Sequence, residues 1–300
     1  MNFKVIGIGE VLWDLLPSGP QLGGAPANFA IHARQLGADA QVITRVGKDA
    51  HGKNILRCFE EMGIRDGTVQ LDDRLPTGTA TVVLDAGGVP QFILNNNVAW
   101  DNLRFTSEAR EAAKRAGAIC FGTLAQRTGS AAAAIQQLVS STPSSALRVL
   151  DVNLRQGFYN RKVVEQSLEI ANVAKVNEHE LGILSGLFDL GGDAHRKAEQ
   201  LSRLFGLRLV ALTRGPNGSL LCEAGECSDL PARRVDVVDT VGAGDAFTAA
   251  LVMGLLHKLA LAEIHQVATD VAGYVCSRAG ATPALPAQLR AAFAPQCAKA

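Results

Sequence analysis

Short runs rich in valine, isoleucine and leucine recur along the chain, separated by longer stretches in which apolar residues return every three or four positions. The short runs predict strands at 4–8, 118–121, 148–152, 174–176 and 209–212. The longer stretches predict helices at 26–36, 51–62, 107–116, 130–139, 194–205, 244–257 and 261–277. A parallel strand pair needs a helix-length crossover, so this alternation implies a parallel sheet covered by helices. The expected fold class is α/β, a Rossmann-like, doubly wound, mostly parallel sheet with a helix-rich C-terminal third.

One stretch breaks the alternation. Residues 79–84 and 91–94 are β-like and flank Asp85-Ala86-Gly87-Gly88, a hairpin-turn signal. A hairpin cannot continue a parallel sheet, so it is expected to join the chain around 11–17 in a small β-sheet lid. The lid would comprise about 11–21 and 67–98 of a single domain spanning 1–300.

Composition narrows the function classes without choosing among them. A chain of 300 residues with 47% hydrophobic content suits one large core. Its 29 basic and 29 acidic residues cancel, so no global field draws it to nucleic acid or to an anionic membrane. The opening MNFKVIGIGE is too quickly interrupted for a signal peptide or a spanning helix, and a cytoplasmic location is expected. Cys58, Cys120, Cys222, Cys227, Cys276 and Cys297 include no CxxC and no zinc spacing, which predicts reduced, mostly buried thiols.

The strongest chemical signal is Asp239-Thr240-Val241-Gly242-Ala243-Gly244-Asp245-Ala246-Phe247, followed at once by an apolar helical run. Small residues at a helix start let backbone N–H groups converge where the helix dipole is positive, a site for phosphate or for charge developing in phosphoryl transfer. Asp245 lies in the same turn, where a carboxylate can take a proton from an attacking hydroxyl; taken alone, it would equally serve as a cap. A Walker A loop is excluded because its lysine is missing, and the early GIGEVL fails the GxGxxG dinucleotide pattern at Leu12.

Upstream, Gly23-Gly24-Ala25-Pro26-Ala27-Asn28-Phe29-Ala30 continues through Leu36-Gly37 to Gly47-Lys48-Asp49-Ala50-His51-Gly52. Gly23 and Gly24 suit a tight turn against a ligand, and Asn28 offers an amide that both donates and accepts. Asp14 follows the first strand, where ligands of open α/β sheets gather. Asp151-Val152-Asn153-Leu154-Arg155 follows another strand, and the Arg155 fork suits phosphate or sugar oxygens. Together the two glycine-rich motifs resemble the N- and C-terminal signatures of the ribokinase-like (PfkB) carbohydrate kinases, over essentially the whole chain.

The resemblance implies ATP-dependent phosphorylation of a sugar, with Asp245 as base and the amides of Gly242, Ala243 and Gly244 as an anion hole. It implies sugar contacts from Asp14, Gly23, Gly24, Asn28 and Arg155. Nucleotide contacts would come from Asn177, Thr213, Gly215, Gly218, Gly242 and Gly244. Magnesium would be held through water by Glu180 with Asn177. Potassium would sit in a loop formed by Asp239, Val241, Val275, Arg278 and Gly280. Gly9 to Pro17, GGAPANFA and Val98-Ala99-Trp100-Asp101 are most similar to bacterial fructokinases, which implies D-fructose and its C6 hydroxyl. Ala25 and Gln126 stand where ribokinases carry charged residues. 2-Keto-3-deoxygluconate is the alternative acceptor, because Arg155 also suits its carboxylate. The family's lids often pair, which implies a homodimer through the β lid. A non-catalytic sugar or nucleotide sensor would be expected to lose Asp245 or its glycines.

Overall fold

The computed structural model describes residues 3–17, 19–84 and 90–293. The strands are β1 (Lys4–Ile8), β2 (Leu12–Leu16), β3 (Gly19–Gly23), β4 (Asp39–Gly47), β5 (Val69–Asp72), β6 (Gly78–Leu84) and β7 (Pro90–Leu94). They continue with β8 (Ala118–Phe121), β9 (Leu147–Asp151), β10 (Val173–Asn177), β11 (Leu209–Thr213), β12 (Ser219–Glu223) and β13 (Glu226–Leu230). The first helices are α1 (Ala25–Gln35), α2 (Ala50–Glu61), α3 (Ser107–Ala113), α4 (Gly129–Ser140) and α5 (Arg161–Ile170). Then come α6 (Glu178–Phe188), α7 (Ala194–Phe205), α8 (Ala243–Leu256), α9 (Leu261–Cys276) and α10 (Ala287–Ala291).

Nine strands form the large sheet in the order β13-β12-β11-β10-β9-β8-β1-β4-β5. From β1 the chain first steps outward through β4 and β5, then returns to the other side of β1 and steps outward from β8. The direction of winding therefore reverses at β1 and β8, and the strand C-termini there open a crevice. The strands pair in parallel as expected, except that β12 pairs antiparallel with both β11 and β13. α1, α2, α8 and α9 bury one face against Val5, Val42, Val149 and Val173. α3 to α7 cover the other face, against Ile6, Ile119, Leu150 and Val176.

Each predicted strand and helix is present within a few residues of its expected ends. β4 escaped the pattern because Thr44 and Arg45 interrupt its apolar run. Both are satisfied by tertiary partners: Thr44 Oγ1 donates to the Gly9 carbonyl at 2.6 Å, and Arg45 pairs with Asp72 at 2.7 Å. α6 also escaped, with Gly182 and Gly186 diluting its helical signal.

A second sheet, ordered β3-β2-β6-β7, forms the lid. Residues 69–72, expected in the lid, instead edge the large sheet as β5, and the lid resumes only at Gly78. Asp85-Ala86-Gly87-Gly88 lies outside the described residues. Asp49 anchors the return to the lid: Oδ1 caps α2 by accepting from the Gly52 amide at 2.8 Å, and Oδ2 accepts from the Thr77 amide at 2.8 Å.

The cysteines depart from expectation. Cys222 and Cys227 face each other across β12 and β13 and are joined by a disulfide. The strand register that makes them neighbours is invisible in a five-residue spacing. Cys58, Cys120 and Cys276 are free thiols, and only Cys120 of these is fully buried; Cys297 lies outside the described residues. No described helix is long and apolar enough to cross a membrane.

Candidate functional site

A cavity of about 1080 Å³ opens at the C-terminal ends of the central strands, roofed by the lid strands β2 and β6. The loop after β1 brings Glu10 into it, lid strand β2 brings Asp14, the β3–α1 junction brings Gly23, Gly24 and Ala25, and the first turn of α1 brings Asn28. The loop after β9 brings Arg155, the end of β10 brings Asn177, and the end of β11 brings Thr213 and Gly215. Gly218 and the 240–245 turn complete the far wall.

The first turn of α8 carries the chemistry. Gly242 caps the helix in the left-handed region at φ 77°, and a Cβ there would lie 2.2 Å from the Ala281 carbonyl oxygen, so only glycine fits. The Ala243 amide donates to Thr240 O at 3.3 Å. The expected anion hole is therefore narrower: Gly242 and Gly244 keep amides with no protein acceptor among the described residues. Asn28 Nδ2 donates to Asp245 Oδ2 at 2.9 Å, bridging 217 positions of sequence and joining the α1 motif to the α8 motif.

The electrostatics are those of a crowded acid site. Burial, and then the Asp151 charge, raise the Asp245 carboxyl to about 7, against the lowering effects of Asn28, Lys175 and Arg155. Burial likewise lifts Glu10 to about 7 and Asp14 to about 6, while Arg155 pulls both down. Glu10 Oε2 is buried without a hydrogen-bond partner in a carboxyl group that the Ala25 amide also touches. Glu10 was not among the expected site residues, although a charged residue directly after an apolar strand in an α/β pattern is a usable signal.

Asn177 and Glu180 form a capping box on α6: Asn177 Oδ1 accepts from the Glu180 amide at 2.9 Å, and Glu180 Oε2 accepts from the Asn177 amide at 2.8 Å. Glu180 Oε1 accepts from the Leu154 amide at 3.1 Å, so the carboxylate also braces the loop that carries Arg155. Glu180 is buried behind the cavity wall, which Asn177 itself forms. A hydrated magnesium keeps its waters and needs an oxygen-rich outer shell rather than a protein cage; of these two residues Asn177 faces the cavity, with Glu180 behind it.

The residues expected around potassium lie in the turn before α8 and at or just past the end of α9. Asp239 accepts from the Val241 amide at 3.0 Å and from the Gly280 amide at 3.1 Å, which ties the α8 turn to the loop after α9. The Val275 carbonyl accepts from the Arg278 amide at 3.0 Å within the end of α9, and the Arg278 guanidinium lies 5.0 Å from the Tyr274 ring. His32 on α1 lies 3.0 Å from the Ala281 carbonyl oxygen and fixes the same loop from below.

Gln126 is not in the cavity lining; it donates to Gly122 O at 2.9 Å and to Ser167 Oγ at 2.8 Å. Its backbone continues into Arg127, which packs over Trp100 and pairs with Asp101 at 2.6 Å.

A doubly wound sheet with open amides and a carboxylate at one helix start restricts the families this chain can join. Over residues 20–288 the sequence matches the pfkB family of carbohydrate kinases. The chain belongs to that family.

The kinase is 29% identical over 296 residues to an uncharacterized sugar kinase of Pyrococcus horikoshii, covering 92% of this chain and 91% of the other. A crystal structure of that protein matches with a TM-score of 0.81 over 93% of this chain and 94% of that one. A second structure of it, in complex with ATP, matches at 0.78. Fructokinase-1 of Zea mays is 29% identical over 310 residues, 95% of either chain. A fructokinase of Klebsiella pneumoniae is 29% identical over 303 residues, 95% of this chain and 97% of the other.

Proposed function

We propose that this carbohydrate kinase transfers the γ-phosphoryl group of ATP to D-fructose, giving fructose 6-phosphate and ADP. The observation that carries the reading is the Asn28–Asp245 hydrogen bond. It sets a carboxylate between the turn that would hold the sugar and the amides that would hold the phosphoryl group. The sugar hydroxyl oxygen attacks the γ-phosphorus while Asp245 takes its proton, and the electron pair of the broken P–O bond leaves on ADP. Positioning and electrostatic stabilisation supply most of the acceleration in such a transfer.

The amides of Gly242 and Gly244 would receive the equatorial oxygens, and Thr213, Gly215 and Gly218 would line the nucleotide side. Magnesium on the phosphates, facing Asn177 and Glu180, would supply positive charge. A potassium ion near Asp239 and Gly280 would act on the shape of the anion hole. The lid over Asp14 would exclude the water that competes as acceptor.

Fructose is favoured by Asp14, Asn28 and Arg155 around an uncharged Ala25, since ribose recognition of the resembling kind needs a charge there. Arg155 supports a second reading. Its guanidinium is exposed at the mouth of the cavity and suits the carboxylate of 2-keto-3-deoxygluconate.

The test is ADP release with fructose, ribose, 2-keto-3-deoxygluconate and adenosine, compared by kcat/KM. A site that pairs particular hydroxyls rejects an analogue by about 1 to 3 kcal/mol per orphaned group, so two losses give roughly thirtyfold to ten-thousandfold preference. Fructose should lead. A keto acid preferred by tenfold or more would replace fructose as the acceptor, and silence with all four would point to another acceptor or to a sensor.

A further inference from the structure

Before its terminal Asn177, strand β10 is apolar except at Lys175, which is only 6% exposed and lies in the wall of the cavity. Alternation turns Val173 and Lys175 toward the face covered by α8, while Ala174 and Val176 enter the opposite core. Lys175 therefore points at the first turn of α8. A Cβ placed on Gly244 would lie 2.9 Å from the Lys175 Nζ, so the absence of a side chain at Gly244 is what admits the ammonium.

The ammonium is held from one side only. On the neighbouring strand, Asp151 is the register partner of Lys175 and receives Nζ at 3.0 and 3.2 Å on its two oxygens. The Thr248 hydroxyl, one turn along α8, lies 3.2 Å from Asp151 Oδ2 and 2.9 Å from Gly244 O, which locks the pair to the helix that carries the anion hole. An ammonium has three donors, and Asp151 engages it from the strand side alone. Arg155, Arg233 and Arg234 also line the cavity, but all three are exposed; Lys175 is the one buried cation of its described wall. The fields of Asp151, Glu180 and Asp245 outweigh its desolvation and keep it charged.

We propose that Lys175 is a catalytic residue whose ammonium binds an oxygen of the phosphoryl group in transit, with Asp151 and Thr248 as the residues that position it. This rests on the phosphotransfer reading but not on fructose. No proton leaves Lys175: the bond to the γ-phosphorus breaks toward ADP, the new P–O bond forms to the acceptor, and the acceptor proton goes to Asp245. Lys175 supplies fixed charge from a buried position in the cavity wall, where a preorganised donor is worth more than in solution.

The test compares wild type with Lys175→Met and Asp151→Asn by steady-state kinetics and by direct binding of ADP and of a non-hydrolysable ATP analogue. Lys175→Met should lower kcat about 10²- to 10³-fold, the usual loss for one such donor, with the sugar KM changed less than about threefold. It should also weaken the ATP analogue at least about tenfold more than ADP, because the contact is to the γ-phosphoryl group. Asp151→Asn keeps shape and charge at Lys175 but loosens its anchor, and should lower kcat about tenfold with ADP binding unchanged. If Lys175→Met leaves a buried Asp151 that prevents folding, the double variant Lys175→Met, Asp151→Asn removes both charges and carries the same comparison. A folded variant with kcat within about threefold of wild type and an unaltered ratio of analogue to ADP affinity overturns the proposal. The binding measurement needs no sugar, so a wrong acceptor would leave the result for Lys175 unaffected.

Discussion

Replacing Asp245 by asparagine should make the protein more stable and nearly inactive at once, and the size of the stability gain should depend on pH. Burial, and then repulsion from Asp151, lift the folded-state carboxyl from an ordinary 3.8 to about 7. An acid whose pKa is raised on folding binds its proton more tightly in the folded state. Its contribution to stability is greatest below about pH 4 and is lost as pH climbs through about 7. At about 1.4 kcal/mol per tenfold in proton affinity, the full gap amounts to roughly 4 kcal/mol of destabilisation at pH 8, against roughly 1.5 kcal/mol at pH 5.

Asp245 is partly open to the cavity, and water there screens its charge, so these values are upper bounds and about half is the expected effect. Asparagine keeps the acceptor that Asn28 uses and removes only the charge. At roughly 2 °C per kcal/mol for a chain of this size, Tm at pH 8 should rise by about 4 °C, and at pH 5 by no more than about 2 °C. Paired thermal melts at the two pH values measure both. In the same variant kcat should fall about 10²- to 10⁴-fold, the worth of a positioned base. A Tm at pH 8 equal to or below that of wild type, or a gain of equal size at pH 5, would contradict a carboxyl destabilised by its own burial. A folded variant keeping more than about a tenth of its kcat would remove Asp245 from the base role.

Three further outcomes test other parts of the site. Asn28→Ala removes the donor that holds Asp245 down, so the acidic limb of kcat/KM against pH, which the free enzyme sets near 7, should move to higher pH. Gly242→Ala forces a Cβ toward the Ala281 carbonyl and into a left-handed backbone, and should cost at least about 1 to 2 kcal/mol in denaturant melts together with most of the activity. Potassium should raise kcat over a bulky organic cation at fixed ionic strength and saturating magnesium-ATP; equal rates would leave the Asp239–Gly280 link a purely structural tie.

The features of this protein that were legible in its sequence are those that local physics decides. An apolar strand flanked by helical periods reads as one unit of a covered parallel sheet, and small residues before an apolar helix read as a turn with open amides. β1 and β8 end where their pattern ends, and α7 begins and stops at its expected residues, because the signals lie within each segment. Asp245 and Asn28 were legible for the same reason, since both sit at helix starts that announce themselves. Which charges meet was settled only by the tertiary fold. Lys175 and Asp151 are 24 positions apart and look like polar interruptions of two strands, until the parallel register makes them neighbours under Gly244. Cys222 and Cys227 became a pair through an antiparallel register, and Gln126 meets Ser167, 41 positions away, from its short helical turn. Burial follows from side-chain period, but a hydrogen bond between distant segments depends on how the sheet is wound. The order of its strands is a property of the whole chain rather than of any stretch of it.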